Sequence, residues 1–198
     1  ESMEGVMSVY RRFLSSLDLT AFEFFDARSM FHVRDAHGLP SPLDGESPLY
    51  VITEFDCRGD EQEQVALECF EHGLEQGWLS DGVMSQSVQQ GRELWVYREG
   101  IAEAAARHAP YKNDLSVKIS RVPGFIERIH EALDRICPDY DVLCYGHIGD
   151  GNVHLNILRP EDETMEAFEA RCKTITDALS QVAGELGGSA SAEHGIGL

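Results

Sequence analysis

Residues 144–158 read CYGHIGDGNVHLNIL, placing two histidines, an aspartate, two asparagines and three glycines in one short stretch. Asp-Gly between two alternating apolar runs is a strong hairpin signal. With Asp150 and Gly151 at the centre of the turn, His147 faces His154 and Tyr145 faces Asn156. Directly opposed strand residues share a face, with Cβ atoms about 4.5–5.5 Å apart. Two imidazoles so placed can reach one metal ion. A turn centred on Gly151-Asn152 makes the histidines diagonal neighbours on the same face, whereas a one-residue slip separates them. A second cluster, SAEHGIG at 191–197, sets Glu193 beside His194. Glu193 with His147 and His154 makes a two-histidine, one-carboxylate set, which leaves coordination positions open for a substrate on zinc or iron. The glycine spacing G-x-x-G-x-G leads into a strand and not a helix, so it is not a dinucleotide-binding fingerprint. The competing reading is structural: histidines on a hairpin also serve as polar surface or as satisfied core groups, and Glu-His-Gly alone can be a loop end.

These residues need elements to hold them. Helical spacing of Val6, Val9, Tyr10, Phe13 and Leu14 predicts a helix over 3–17, followed by an alternating strand at 19–26 (LTAFEFFD) and a short helix at 27–38. Residues 39–48 are a Pro/Ser/Gly loop before a strand at 49–57. An acidic first turn and a terminal glycine bound an amphipathic helix over 60–77. Residues 78–87 read as extended or hairpin, and 88–108 as helical. A strand at 112–120, a helix opened by Pro123 and running to Ile136, the histidine hairpin, and a long helix over 162–188 ended by paired glycines complete the chain. Hairpins mixed with strand–helix alternation predict an α+β fold, an antiparallel β-sheet covered by helices. A split β-α-β unit in each half would make it a ferredoxin-like duplication.

Composition narrows the function. The 198 residues are 42% hydrophobic, enough for a core, and fit one domain or two small ones. Sixteen basic residues against thirty-five acidic ones give a formal net charge of −19. No basic patch offers a surface to nucleic acid or anionic membrane, and an anionic substrate needs a local cationic site. No apolar run approaches a membrane span, and no signal-peptide pattern opens the chain; a cytoplasmic location is expected. Five cysteines, odd in number and without a Cys-x-x-Cys pair, argue for reduced thiols over a disulfide framework or a cysteine zinc site.

The motif GHIGDGNVHLN with the downstream AEHGIG resembles the C-terminal domain of FAD-linked oxidases, within their D-2-hydroxy acid group (D-2-hydroxyglutarate, D-lactate and glycolate dehydrogenases). LTAFEFFD, LWVYREGIAEA (94–104) and YKNDLSV (111–117) fit the same pattern in the same order, so the resemblance spans nearly the whole chain. It implies a ferredoxin-like α+β fold. It also implies an N-terminal FAD-binding domain, absent from these residues, and a continuation past Gly197. On this implication the chain is a truncated or split substrate and metal domain, inactive alone, whose intact enzyme can be peripheral to a membrane.

The resemblance further implies roles. His147, His154 and Glu193 would hold a divalent metal, with zinc favoured, and His194 would be the general base. Arg98 and Lys112 would hold substrate carboxylates, and Asn156 would contact substrate. Where the hydroxyglutarate enzymes carry a threonine four residues after the arginine, this chain has Ala102, which leaves the particular 2-hydroxy acid open. The chemistry is coherent: a 2-hydroxy acid chelates a metal, the metal acidifies the hydroxyl, an imidazole takes the proton, and hydride leaves C2 for the flavin. The expected partners are the small 2-hydroxy acid, the FAD-binding domain, an electron acceptor of unspecified nature and a second copy in a homodimer. Two alternatives stand beside this: a flavin-free metal hydrolase using the same ligands, and a non-catalytic ferredoxin-like binding module. Taken without the resemblance, Arg98 reads as an ordinary surface charge on a helix and Lys112 as a snorkelling strand lysine.

Overall fold

The computed structural model describes residues 2–190. Glu193 and His194 lie outside the described residues. The elements are α1 (Met3–Leu14), β1 (Leu19–Asp26), α2 (Ala27–His37), β2 (Leu49–Phe55), α3 (Asp60–Glu75), α4 (Val88–Glu99), α5 (Ile101–Ala106), β3 (Tyr111–Ser116), α6 (Val122–Ile136), β4 (Val142–His147), β5 (Asn152–Ile157) and α7 (Met165–Glu185). The five strands form one sheet in the order β2-β1-β4-β5-β3, with every neighbouring pair antiparallel. This is the expected α+β class.

Side-chain alternation divides the sheet into two chemically different faces. Phe22, Phe24, Cys144, Val153, Leu155 and Leu115 pack with apolar residues of α1, α3, α6 and α7 in the larger core. On the other face Phe25, Tyr50, Leu143 and Tyr145 meet α2, α4 and α5 through Met30, Val33, Tyr97, Ile101 and Ala105. The remainder of that second face is polar, and it carries the residues considered below.

Several sequence expectations need correction. The second half builds the predicted split unit: α6 connects β3 to β4, and β5 lies between them. The first half does not repeat it, because β1 and β2 are direct antiparallel neighbours, the chain reversing through α2 and the loop at 39–48. Residues 78–87 form no strand. The helical stretch 88–108 breaks at Gly100, where an added Cβ would sit 2.8 Å from the Val96 carbonyl oxygen and 3.0 Å from His37 Nε2. That close approach lets α2 pack against the α4–α5 junction.

The hairpin register also differs from the expected one. Tyr145 lies opposite His154, and His147 lies opposite Asn152. The loop is longer than a two-residue turn: Ile148–Asp150 form a single 3-10 turn, which Gly151 closes at φ 69°. The pairing therefore shifts by two places. Because the side-chain period is two, both histidines keep the same face. They become diagonal neighbours, with ring centroids 5.2 Å apart.

α2 anchors β4 at two points. Asp26 caps α2 by accepting from the Ser29 N–H, and its other oxygen accepts from the Cys144 N–H at 3.1 Å. Near the start of β4, Asp141 accepts from His32 Nε2 at 2.6 Å and from Arg28. Burial pushes the Asp141 carboxyl up, but the hydrogen bonds from His32 and Arg28 outweigh it, and the net shift is downward from 3.8. A depressed folded pKa stabilises the protein above the ordinary carboxylate range and loses that contribution as pH falls through the folded value. Asp141→Asn is therefore expected to lower stability at pH 7, with the difference from the parent shrinking as pH falls through and below the ordinary carboxylate range; urea titrations across pH measure this.

Gly151 has two reasons to be glycine. Its φ lies in the left-handed region, and an added Cβ would fall 2.0 Å from the Val117 carbonyl oxygen. Gly151→Val is expected to destabilise the fold by at least about 1–3 kcal/mol, read as a lower urea midpoint. A parent-like midpoint contradicts the turn described here.

Candidate functional site

Four adjacent strands present the polar face, and their register decides who meets whom. Glu23 on β1 lies directly opposite His147 on β4. Across the hairpin Tyr145 lies opposite His154, and Asp114 on β3 lies opposite His154 from the other side. Lys112 on β3 lies opposite Asn156 on β5. The histidine hairpin is thus flanked by two strands, each placing a carboxylate directly across from one histidine.

The contacts follow that register. His147 Nδ1 is 2.8 Å from Glu23 Oε1, and His154 Nδ1 is 3.2 Å from Asp114 Oδ1. The first is a hydrogen bond and the second a contact at ion-pair distance; because an ionised carboxylate only accepts, the His147 Nδ1 facing Glu23 is assigned the proton, and in the neutral ring the lone pair then sits on Nε2. This is the arrangement carboxylates impose on metal-ligating histidines. Arg98, in the last turn of α4, brings Nη2 to 2.9 Å from Glu23 Oε2, an ion pair with both side chains about one-tenth exposed. The guanidinium lies over the Tyr145 ring, 4.8 Å from its centroid. Asn156, fully buried, donates through Nδ2 to the Tyr145 hydroxyl at 2.9 Å. Burial pushes the Tyr145 phenol up, which keeps it neutral. A chain of contacts therefore runs Asn156–Tyr145–Arg98–Glu23–His147.

Five of the seven residues singled out from the sequence share this face: Arg98, Lys112, His147, His154 and Asn156. Lys112 is exposed at its outer end. Arg98 is not the ordinary surface charge of the alternative reading, because it is buried and paired. Its Nε has no hydrogen-bond partner, so the guanidinium retains donor capacity beyond the pair. Asn156 faces Leu143, not Tyr145, and reaches the Tyr145 hydroxyl diagonally. The expected carboxylate ligand, Glu193, and the expected base, His194, lie outside the described residues. Among the described residues no group of three or more His, Cys, Asp or Glu side chains is placed to hold a metal ion. Cys144 takes no part: it lies on the opposite face, and burial pushes its thiol far above the ordinary range. All five cysteines are free, and only Cys57 is exposed.

Glu23, Asp114 and Tyr145 were not singled out by the motifs. Glu23 lies within LTAFEFFD, which reads simply as a strand. The available signal was its parity: it shares a face with Phe25, so it is an acid directed at a face that is partly apolar and covered.

The geometry describes an α+β domain with two neighbouring imidazoles, two carboxylates and a buried guanidinium and amide on one sheet face. The family model of FAD linked oxidases, C-terminal domain, matches residues 1–198, and the chain belongs to that family. Curated relatives include a D-2-hydroxyglutarate dehydrogenase of Xanthomonas citri pv. viticola, 48% identical over 100% of this chain and 42% of the relative. One of the same name from Stutzerimonas stutzeri is 42% identical over 98% of the chain and 42% of the relative. A putative mitochondrial D-lactate dehydrogenase of Schizosaccharomyces pombe is 34% identical over 100% of the chain and 39% of the relative. The chain spans about two fifths of the length of the first two relatives. Among the described residues no helix is long and apolar enough to cross a membrane. The expected cytoplasmic location is not confirmed, since several relatives are named as mitochondrial.

The contact chain makes its own prediction. Tyr145→Phe removes the acceptor of a fully buried amide donor. It is expected to cost about 1–3 kcal/mol, read as a lower urea midpoint with an unchanged slope. A midpoint equal to the parent's contradicts the Asn156–Tyr145 bond.

Proposed function

We propose that the full-length protein containing this chain oxidises a D-2-hydroxy acid to the 2-oxo acid, with this domain holding the substrate and FAD held by a domain outside the chain. The observation that carries this reading is the buried Arg98–Glu23–His147 chain on the same face as His154, Lys112 and Asn156. It assembles a cationic group, an amide and two imidazoles, which is what a hydroxy carboxylate requires. D-2-hydroxyglutarate is the leading substrate, supported by the names of the two bacterial relatives. Ala102, on α5, lacks the hydroxyl that would assist a distal carboxylate. Together with the D-lactate dehydrogenase name of one relative, this favours a monocarboxylic 2-hydroxy acid as the second reading.

The donor set fits a divalent metal. Two imidazoles have Nδ1 facing carboxylates, and Glu193 supplies the third ligand in this reading; hard and borderline ions with mixed N and O ligands match, zinc first. When bound, the metal supplies Lewis acidity at the substrate hydroxyl, and FAD supplies the hydride acceptor. The remaining work falls to the chain's own side chains. Arg98 and Lys112 bind carboxylate oxygens, and they offset the repulsion that a chain of net charge −19 exerts on an anion. Asn156 and Tyr145 fix the floor of the site through one hydrogen bond. His194 takes the hydroxyl proton.

The test uses the full-length protein, a dye acceptor and a panel of D-2-hydroxyglutarate, D-lactate and glycolate. Oxidation of at least one is expected, together with loss of activity on metal removal and its recovery with zinc. His194→Ala is expected to cost about 10²–10⁴-fold in kcat, while His147→Ala or His154→Ala abolishes zinc binding measured by calorimetry. Turnover of none of these acids, or zinc affinity unchanged in both histidine variants, overturns the reading.

A further inference from the structure

Arg98 at the substrate end and His147 at the metal end converge on one side chain. Glu23 places Oε1 2.8 Å from His147 Nδ1 and Oε2 2.9 Å from Arg98 Nη2. The first contact is set by backbone register, because Glu23 and His147 are paired residues of β1 and β4. The second comes from a different part of the fold, the last turn of α4, and is steadied by the stacking of Arg98 over Tyr145. Asp114 provides the internal comparison. It stands across from His154 as Glu23 stands across from His147, and of these two carboxylates it is Glu23 that pairs with Arg98.

We propose that Glu23 is a positioning residue that couples the two ends of the site. It holds His147 with Nδ1 protonated and Nε2 as the ligating nitrogen, and it fixes the Arg98 guanidinium that receives the substrate carboxylate. Asp114 stands at ion-pair distance from His154 in the corresponding place, and Arg98 is paired with Glu23. The inference rests on the function proposed above. It follows from chemistry on the page: a carboxylate that accepts from a ligand imidazole both orients the ring and strengthens it as a donor, and a guanidinium presents its fork usefully only when its plane is fixed. A loss at Glu23 should therefore be felt at both the metal and the substrate, and a loss at Asp114 at the metal alone.

The experiment takes the metal-stripped full-length protein and titrates zinc into the parent, Glu23→Gln and Asp114→Asn by calorimetry, then measures kcat and KM for D-2-hydroxyglutarate at saturating zinc. Both variants are expected to bind zinc about 10- to 100-fold more weakly. Only Glu23→Gln is expected to raise KM at saturating zinc, on the order of 10-fold for one misplaced charge-assisted contact, with a smaller change in kcat. Glu23→Gln leaves the Arg98 charge buried without its partner, so a charge-neutral pair guards against misfolding. Glu23→Gln combined with Arg98→Gln should bind zinc more weakly than Arg98→Gln alone, which keeps the carboxylate on His147. Equal zinc affinity within both comparisons, or a KM that rises equally in Asp114→Asn, overturns the role of Glu23 while leaving the proposed function standing. A parent that takes up no zinc overturns the metal assignment, and the coupling with it.

Discussion

A carboxylate buried in a protein must find positive charge or hydrogen-bond donors, because its desolvation is otherwise prohibitive. Glu23 meets that demand with two groups at once, a guanidinium from α4 and an imidazole from β4. Much of the site face is arranged around this requirement. α4 must end where Arg98 can reach β1. Gly100 lets α2 pack close against the α4–α5 junction, and Tyr145 supplies the ring on which the guanidinium lies. An ion pair of this kind adds little net stability compared with an apolar pair of the same shape. Its presence is better explained by what it positions.

The second constraint is strand register. The two histidines serve one site only if they share a face, and parity guarantees this for any even shift of pairing. The loop at 148–151 uses this latitude. Its 3-10 turn and left-handed Gly151 move the pairing by two places from a tight Asp-Gly turn, yet leave the histidine rings 5.2 Å apart. The flanking strands then complete the layout, since Glu23 and Asp114 each fall opposite one histidine. The opposite sheet face, with Phe24, Leu155 and Val153 fully buried, holds the strands rigid behind the site.

How much of this was legible in the sequence depends on the range of the interaction involved. β1 and the α6 start at Pro123 were readable because strand alternation and a proline in the first helical turn are local signals. The shared face of His147 and His154 was readable because it depends only on parity. The pairing number was not, since the backbone of a 3-10 turn and a two-residue turn can both carry Asp-Gly. The break at Gly100 was missed because part of the close packing there involves His37, a residue far away in the chain. Glu23 was missed for the same reason: within LTAFEFFD nothing marks the face it occupies as the one that meets β4 and α4. The family resemblance supplied Arg98, Lys112 and Asn156, and spacing alone did not.

The central claim, that this sheet face is a metal-dependent hydroxy-acid site, is tested most directly by an anomalous difference map, recorded at the zinc absorption edge, from crystals of the zinc-loaded full-length protein. The account predicts a peak within about 2.0–2.2 Å of Nε2 of both His147 and His154, with Glu193 as the third protein ligand. A map with no peak at the hairpin, or a zinc ion held by other residues, contradicts it.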